Sequence, residues 1–217
     1  MRLELLASVI SPFTCIYSCL YQHRKQISIS DQKIHFLLSF SSLSILSFYY
    51  FRSSITKKWE KPPKGSIKIN FDITVNGNRM GYGVVIRDDE GFLLRGGGGF
   101  IDGRISVQEA ECIALERSIK VAGQLNIHGD VLFETDNAGL VNKMNKCDMD
   151  ITIIGARIKA CKDAFNLFKS ANLASLKRLC NNVADFICTK ICSEAKMWFF
   201  YMDYPKEIHN VVINDVT

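Results

Sequence analysis

The sequence has only four prolines among 217 residues, and none falls between Pro63 and Pro205. Together with only 14 glycines, this scarcity excludes collagen-like and low-complexity classes. A long proline-free block with regular hydrophobic periodicity is typical of one folded domain. Because Pro62 and Pro63 interrupt the chain just before that block, we expect a domain over residues 59–217 and a separate N-terminal extension over residues 1–58.

The eight cysteines include no Cys-x-x-Cys spacing, and no histidine lies near enough in sequence to complete a familiar zinc-binding pattern. They are also too sparse for a disulfide scaffold. We therefore interpret them as small buried side chains in a reducing compartment. This interpretation predicts a nuclear or cytoplasmic location, with organelle targeting by the N-terminal extension as the alternative.

The expected domain carries no excess of positive charge, although the whole chain has a net charge of +5. Residues 1–58 hold seven of the 27 basic and two of the 22 acidic residues, so the rest of the chain has 20 of each sign. Bulk charge therefore does not make the domain a nucleic-acid binder. A polyanionic partner would have to be held by a local patch or through metal ions.

The N-terminal extension contains twelve serines and a run of eighteen residues, 34–51, without a formal charge. That run reaches the lower edge of a membrane span, but its five serines and His35 make it a poor one. Secretory signal, transit peptide, membrane anchor and weakly structured leader all stay open for this segment.

Hydrophobic periodicity predicts an α/β domain with a five-stranded mixed sheet, its first three strands antiparallel, and helices on both faces. Ile67, Ile69 and Phe71 alternate with polar residues, which indicates a half-buried first strand. The predicted strands are 67–75, 82–87, 92–101, 131–133 and 173–177. The predicted helices are 106–122, 137–145, 153–169 and 181–195, the first with Ser106 as its cap.

Glu111 is the most informative acid in the sequence, because it falls inside the apolar stripe of the first predicted helix. That stripe is formed by Val107, Ala110, Ala114, Leu115, Ser118 and Ala122. An unpaired carboxylate facing a sheet costs several kcal/mol. Glu111 must therefore be protonated, paired with a cation or bound to a metal ion.

Three further acids occupy positions near strand or helix ends. Asp136 follows an apolar strand, where ligands bind in open α/β sheets, although capping the next helix is an equally simple role. Asp72 lies on the first strand, on the face opposite Phe71. Asp185 lies in the first turn of the last predicted helix, where the helix dipole alone favours an acid.

Taken together, the four acids predict a site for divalent cations, because no cluster of Lys or Arg occurs at matching positions. Oxygen ligands of this kind suit Mg²⁺, which prefers a few carboxylates together with substrate phosphate oxygens. Two such ions can activate a water molecule and stabilise the leaving oxygen of a phosphodiester.

The stretch from about Trp59 to Val216 resembles the plant ribonuclease H-like domains found with non-LTR retroelement reverse transcriptases. The resemblance is carried by motifs in series: Trp59-x-x-Pro62-Pro63, Ile67-Lys68-Ile69-Asn70-Phe71-Asp72, Gly81-x-Gly83, Glu109-Ala110-Glu111, Phe133-Glu134-x-Asp136, Arg178-x-x-Asn181-x-x-Ala184-Asp185 and Trp198…Asp203-x-Pro205…Asp215.

This resemblance implies a metal-dependent endoribonuclease that hydrolyses the RNA strand of RNA–DNA hybrids. It implies that Asp72, Glu111, Asp136 and Asp185 are both the catalytic residues and the ligands of two Mg²⁺ ions, for which Mn²⁺ can substitute. Hydrolysis would leave 3′-hydroxyl and 5′-phosphate ends. The implied partner is nucleic acid, and nothing in the sequence points to an obligate protein partner.

Three positions depart from the family pattern, and two of them, Ser175 and Ile73, support an alternative: a retroelement-derived nucleic-acid-binding module with weak or no catalysis. Ser175 stands where the family usually has a histidine linked to product release or proton shuttling. Ile73 replaces a small residue after Asp72 and is expected to crowd the backbone there. Asn137 replaces the common serine after the third acid, which is a mild change.

Overall fold

A computed structural model of the chain describes residues 58–146 and 150–216. The N-terminal extension up to residue 57, including the candidate membrane contact at 34–51, lies outside these ranges, so its boundary and role stay predictions. None of the helices within the described ranges is long and apolar enough to cross a membrane.

The strands of the described ranges form one mixed sheet of six, not the five that the sequence predicts. Their bounds are β1 Ser66–Asn76, β2 Arg79–Arg87, β3 Leu93–Asp102, β4 Asp130–Thr135, β5 Ser170–Ser175 and β6 Trp198–Tyr201. In space they follow the order β5-β4-β1-β2-β3-β6. The first three strands pair antiparallel as predicted, whereas β4 and β5 run parallel to β1.

The additional strand, β6, is an aromatic segment that returns to the sheet after the last predicted helix and pairs antiparallel with β3. Phe200 faces inward and is buried, while Phe199 and Tyr201 remain exposed. The predicted fifth strand at 173–177 is displaced, because β5 follows β4 along its whole length from the Asp130–Ser170 pair onward.

The helices of the described ranges are α1 Val107–Gln124, α2 Ala138–Asn145, α3 Ile153–Ala164, α4 Asn182–Glu194 and α5 Lys206–Val216. Ser106 caps α1 as predicted, accepting a hydrogen bond of 3.2 Å from the backbone N–H of Glu109. The helix predicted to reach residue 169 ends earlier because Phe165 and Phe168 turn to pack their rings against Phe133.

The helices cover both faces of the sheet, and alternate residues of β2 enter two different cores. Val84 and Ile86 pack in the core beneath α1, together with Phe71 of β1. Val85 points to the opposite face, where residues of α4 and α5 cover it. As a result β1 is buried on both faces, and Lys68 and Asn70 are 1% and 2% exposed instead of facing solvent on a half-buried strand.

The α4 helix lies unusually close to β2 because the strand offers glycine at two positions on that face. A methyl group on Gly81 would collide with the carbonyl oxygen of Cys188, and one on Gly83 with that of Ala184. This backbone-to-backbone packing fixes the height of α4 above β1 and β2. It thereby brings Asp185 towards the first strand.

A group of buried charges on the α4 side of the sheet is internally balanced, and we call it the paired network. Lys68 forms an ion pair with Glu134 at 3.0 Å. The side chains of this pair and of the Arg87–Asp215 pair are no more than 3% exposed. Asn70 joins the indole of Trp59 to Glu134 through hydrogen bonds of 2.9 and 3.1 Å. The second ion pair is Arg87–Asp215, also at 3.0 Å.

Candidate metal centre

Asp72 enters the site from the middle of β1, opposite Gly83 of β2. Its side chain is only 4% exposed. The Oδ1 atom accepts a hydrogen bond of 2.8 Å from the backbone N–H of Ile73. The Oδ2 atom is buried and has no hydrogen-bond partner among the residues that the structure describes. Half of this carboxylate is therefore left for a ligand.

Glu111 approaches from α1 and is 5% exposed, so the apolar-stripe argument placed this side chain correctly. The nearby Asn137 side chain acts against the burial that raises the pKa of Glu111. The Oε2 atom of Glu111 is buried and, within the described ranges, lacks a hydrogen-bond partner. Glu111 thus resembles Asp72 in having a buried oxygen that the protein does not satisfy.

Asp136 follows β4 directly, and helix capping does not account for it. The cap of α2 is its neighbour Asn137, whose Oδ1 accepts a hydrogen bond of 2.9 Å from the N–H of Leu140. The Asp136 carboxylate is therefore left to the site. Carboxylate oxygens of Asp72, Glu111 and Asp136 lie within 4.8 Å of one another.

Asp185 reaches the site from the first turn of α4. The start of that helix is tied to β1 by Asn181, whose amide donates a buried hydrogen bond of 3.0 Å to the carbonyl of Phe71. Carboxylate oxygens of Asp185 and Asp72 and the thiol of Cys188 form a second group within 4.8 Å. We call Asp72, Glu111, Asp136 and Asp185 the acidic cluster.

One cation does lie at the edge of the acidic cluster, which corrects the expectation that none would. The Arg178 guanidinium contacts Asp185 Oδ1 at 3.3 Å. This arginine is 76% exposed on its side chain, so the pair lies on the solvent side of the cluster. Among the described residues, no salt bridge reaches the other three acids.

Burial and repulsion between neighbouring carboxylates disfavour the ionised forms of Asp72, Glu111 and Asp136. Burial raises the pKa of Asp72 to about 7, and the charges of Asp136, Asp185 and Glu111 act in the same direction. Burial raises the pKa of Glu111 to about 7 as well. It is also the largest cause of the raised pKa of Asp136, which Arg178 partly offsets.

The donor set fits hard divalent cations. Two buried carboxylate oxygens, Asp72 Oδ2 and Glu111 Oε2, lack hydrogen-bond partners in the described part of the chain. Carboxylate oxygens are the ligands that Mg²⁺ and related ions prefer. A bound cation would also compensate the charge repulsion that raises these pKa values.

The three departures from the family pattern have different structural outcomes. The side chain of Ile73 packs on the α1 side of the sheet with Met80 and Ala110. Asn137 caps α2 and lies near Glu111. Ser175 ends β5 beside Thr135 of β4, one residue before Asp136.

Sequence reasoning gave no role to three residues around the cluster. Asn181 and Arg178 belong to the last motif before α4, Arg178-x-x-Asn181. Their contacts with Phe71 and Asp185 depend on where α4 begins. Cys188 was interpreted only as a small buried side chain. Its spacing of three residues from Asp185 was the available signal, because such residues share a helix face.

Residues 70–191 match the family model described as reverse transcriptase-like. No curated protein sequence matches the chain. Several solved structures share its fold, among them three ribonuclease H structures. RNase H1 from Halobacterium salinarum NRC-1 is 19% identical with a TM-score of 0.55, covering 60% of this chain and 100% of its own. LC11-RNase H1, solved in complex with RNA/DNA hybrid, is 20% identical with a TM-score of 0.54, covering 59% and 98%.

The third structure is the N-terminal RNase H domain of a Mycobacterium tuberculosis protein, solved as a fusion with maltose-binding protein. It is 20% identical with a TM-score of 0.51, and the alignment covers 60% of this chain and 95% of that one. At these identities the likeness shows the fold, which is that of ribonuclease H.

Proposed function

The chain belongs to the reverse transcriptase-like family, and we propose that it is a metal-dependent endoribonuclease that hydrolyses the RNA strand of RNA–DNA hybrids. One observation carries this proposal. Carboxylate oxygens of Asp72, Glu111 and Asp136 lie within 4.8 Å of one another, Asp72 and Glu111 each have a buried oxygen without a hydrogen-bond partner, and no cation of the described residues forms a salt bridge with any of the three. A purely structural role does not require such an unfavourable arrangement.

In the proposed function, Asp72, Glu111, Asp136 and Asp185 hold two divalent ions of the Mg²⁺ class. Such ions activate a water molecule and stabilise the leaving oxygen of a phosphodiester. They also explain how a domain with no net positive charge binds a polyanion. Mn²⁺ would substitute for Mg²⁺ because it prefers the same oxygen ligands.

The chain's own residues position these acids. Asn137 caps α2 directly after Asp136, which leaves the Asp136 carboxylate to the site. Asn181 ties the start of α4 to β1, which sets the distance between Asp185 and Asp72. Arg178 lies on the exposed side of Asp185, where its positive charge would meet a phosphate of the substrate.

The substrate class follows from the structural relatives and from the site. LC11-RNase H1 was solved with an RNA/DNA hybrid, and it shares its fold with this chain. A hybrid offers a phosphate backbone that the metal-loaded acids and Arg178 can approach from solvent. We therefore propose a hybrid duplex as the nucleic-acid partner.

A second candidate function is a module that binds the RNA–DNA hybrid without hydrolysing it. Ser175 favours it, because this residue lies beside Thr135, next to Asp136, where the resemblance predicts a histidine. A serine cannot supply the proton exchange near neutral pH that an imidazole provides. Binding would then persist while product formation is lost.

The test is cleavage of a hybrid with a labelled RNA strand, in Mg²⁺ and in excess chelator. We expect Mg²⁺-dependent products from the wild type and at least about a 100-fold slower reaction from Asp136→Asn, because one ligand charge is lost. Asp130→Asn is the matched control, since Asp130 lies at the other end of β4 in an exposed pair with Lys169.

The outcomes separate the two candidates. Hybrid binding that weakens with salt, without products in Mg²⁺ or Mn²⁺, supports the binding module. A folded wild-type protein that neither binds nor cleaves hybrid overturns both proposals. Equal activity of Asp136→Asn and Asp130→Asn overturns the assignment of the site.

The cellular location stays a prediction. The nuclear or cytoplasmic proposal rests on the spacing and number of the cysteines in the sequence.

A further inference from the structure

A thiol lies beside two acids of the proposed hydrolytic site. Cys188 and Asp185 are three residues apart on α4 and therefore share a helix face. The Cys188 Sγ atom and one carboxylate oxygen each of Asp72 and Asp185 all lie within 4.8 Å of one another. Cys188 is fully buried, with 0% of its surface exposed.

Asp72 carries a second sign of a ligand at this position. It is 96% buried, and its Oδ2 atom has no hydrogen-bond partner in the ranges that the structure describes. Cys188 itself is oriented by contacts of 3.1 Å with the Thr74 hydroxyl and with the carbonyl oxygen of Asp185. The thiol is therefore held within 4.8 Å of a carboxylate that has one unsatisfied oxygen.

Sulfur changes which ions this corner of the site prefers. Mg²⁺ takes oxygen ligands and gains little from a thiol, whereas zinc-class ions bind thiolate and carboxylate together. We propose that Asp72, Asp185 and Cys188 form a site for a thiophilic divalent cation of the zinc class. Because the site uses two acids of the proposed hydrolytic centre, its occupation competes with Mg²⁺ and inhibits hydrolysis.

The binding step balances without an oxidant or reductant. The S–H bond of Cys188 breaks, a sulfur–metal bond forms, and the proton passes to solvent. The thiolate and the two carboxylates carry three negative charges against the two positive charges of the ion, so the bound group has a net charge of −1, which the Arg178 guanidinium beside Asp185 partly offsets. Water or the Thr74 hydroxyl can complete four-coordination.

The experiment is a Cd²⁺ titration of the metal-free full chain, following the ultraviolet sulfur-to-cadmium charge-transfer band. The band of interest is the part that Cys188→Ala removes, because the chain has other cysteines. Cys192→Ala is the matched control: Cys192 lies one turn further along α4 and is also buried, but its thiol points to the carbonyl of Arg79.

We expect the wild type and Cys192→Ala to bind one more Cd²⁺ per chain than Cys188→Ala. Loss of an outer-sphere partner already costs roughly 10–100-fold in metal affinity, so loss of a direct ligand should lower Cd²⁺ affinity at least about tenfold. Excess Mg²⁺ should weaken the Cys188-dependent band, because both ions use Asp72 and Asp185.

Three results would overturn the proposal: no band in the wild type, an unchanged band in Cys188→Ala, or an equal loss in both variants. Cys188→Ser guards against misfolding, because serine keeps a hydroxyl for the contacts with Thr74 and Asp185. Circular dichroism melts confirm folding, and this variant should also lack the band.

Hybrid cleavage by the wild type in Mg²⁺ alone is measured separately. A Cys188-dependent band in a protein that does not cleave hybrid supports the thiol site and opposes the nuclease. Cleavage without such a band does the reverse.

Discussion

Two groups of charged residues lie along the same pair of strands and are organised in opposite ways. The paired network takes Lys68 from β1 and Glu134 from β4. The acidic cluster takes Asp72 from β1 and Asp136 from the position directly after β4, each only a few residues further along. In the network each charge meets its opposite, whereas the cluster has a cation at its exposed edge alone among the described residues. Lys68 and Asp72 are similarly buried, at 1% and 4% exposed, so it is charge balance that separates a structural group from a candidate site.

The causes of the pKa shifts express the same difference, although burial disfavours the charged form in both groups. Burial lowers the pKa of Lys68, but the charge and hydrogen bond of Glu134 act against that shift. In the acidic cluster, burial raises the pKa of Asp72 and the neighbouring acids raise it further. The network stabilises its charged forms from within the protein. The cluster needs protons or an added cation.

The largest expected effect comes from breaking the paired network. Asp215→Ala leaves Arg87 buried without its carboxylate, so the free energy of unfolding should fall by about 3–5 kcal/mol. Urea denaturation measures this loss. The double variant Arg87→Met/Asp215→Leu should recover most of it, because an apolar pair needs no charge compensation. A loss below about 1 kcal/mol in the single variant would show that Arg87 does not depend on Asp215 for its charge compensation.

The next effect is stabilisation of the acidic cluster by added cation. Mg²⁺ at about 100 times its dissociation constant should raise the free energy of unfolding by about 2.7 kcal/mol, because it binds only the folded state. Thermal melts across a Mg²⁺ series measure this shift. Asp72→Asn should remove most of it, whereas Asp215→Ala should keep it despite its lower stability. An identical shift in Asp72→Asn would place the ion elsewhere.

A smaller effect is the pH dependence of the metal-free protein. The pKa values of Asp72 and Glu111 are raised to about 7 in the folded state, so the folded state retains protons that the unfolded chain has already lost. Their contribution therefore makes stability fall as pH rises between about 4 and 7. Melting temperatures across this window measure the slope, and Glu111→Gln should flatten it.

The control for that slope is Glu109→Gln on the same helix. Glu109 forms a partly exposed pair with Arg157 instead of entering the cluster. It should leave the pH dependence unchanged. A metal-free wild type whose melting temperature rises steadily through the same window would contradict the assigned shifts.

The smallest effect is expected outside both groups. Asp130 on β4 pairs with Lys169 on a surface where the two side chains are 36% and 73% exposed. Asp130→Asn should change the free energy of unfolding by no more than about 1 kcal/mol, as measured by urea denaturation. A larger loss would mean that position along β4, more than burial, sets the cost of removing a charge.

The helical period was sufficient to predict that Glu111 is buried, because a residue within the apolar stripe of a helix faces the same side as the stripe. Asp136 was harder. Asp136 and Asn137 are both good caps, and only the hydrogen bond between Asn137 and Leu140 shows which residue takes that role. The sequence could therefore name the acids but could not remove the alternative roles of some of them.

Features that depend on distant contacts were missed or misplaced. β6 is short and follows a helix, so its pairing with β3 is not a local property. The early end of α3 depends on the rings of Phe165 and Phe168 meeting Phe133. Lys68 occupies a polar position in the alternating pattern of β1, which predicts a solvent-facing side chain. It is buried because other elements pack on both faces of β1.

The bond between Arg87 and Asp215 joins residues that are 128 positions apart. During synthesis the guanidinium therefore emerges long before its carboxylate, and the centre of the sheet cannot close around a neutral pair until residue 215 has left the ribosome. Nascent chains that terminate earlier would present this strand with an uncompensated charge.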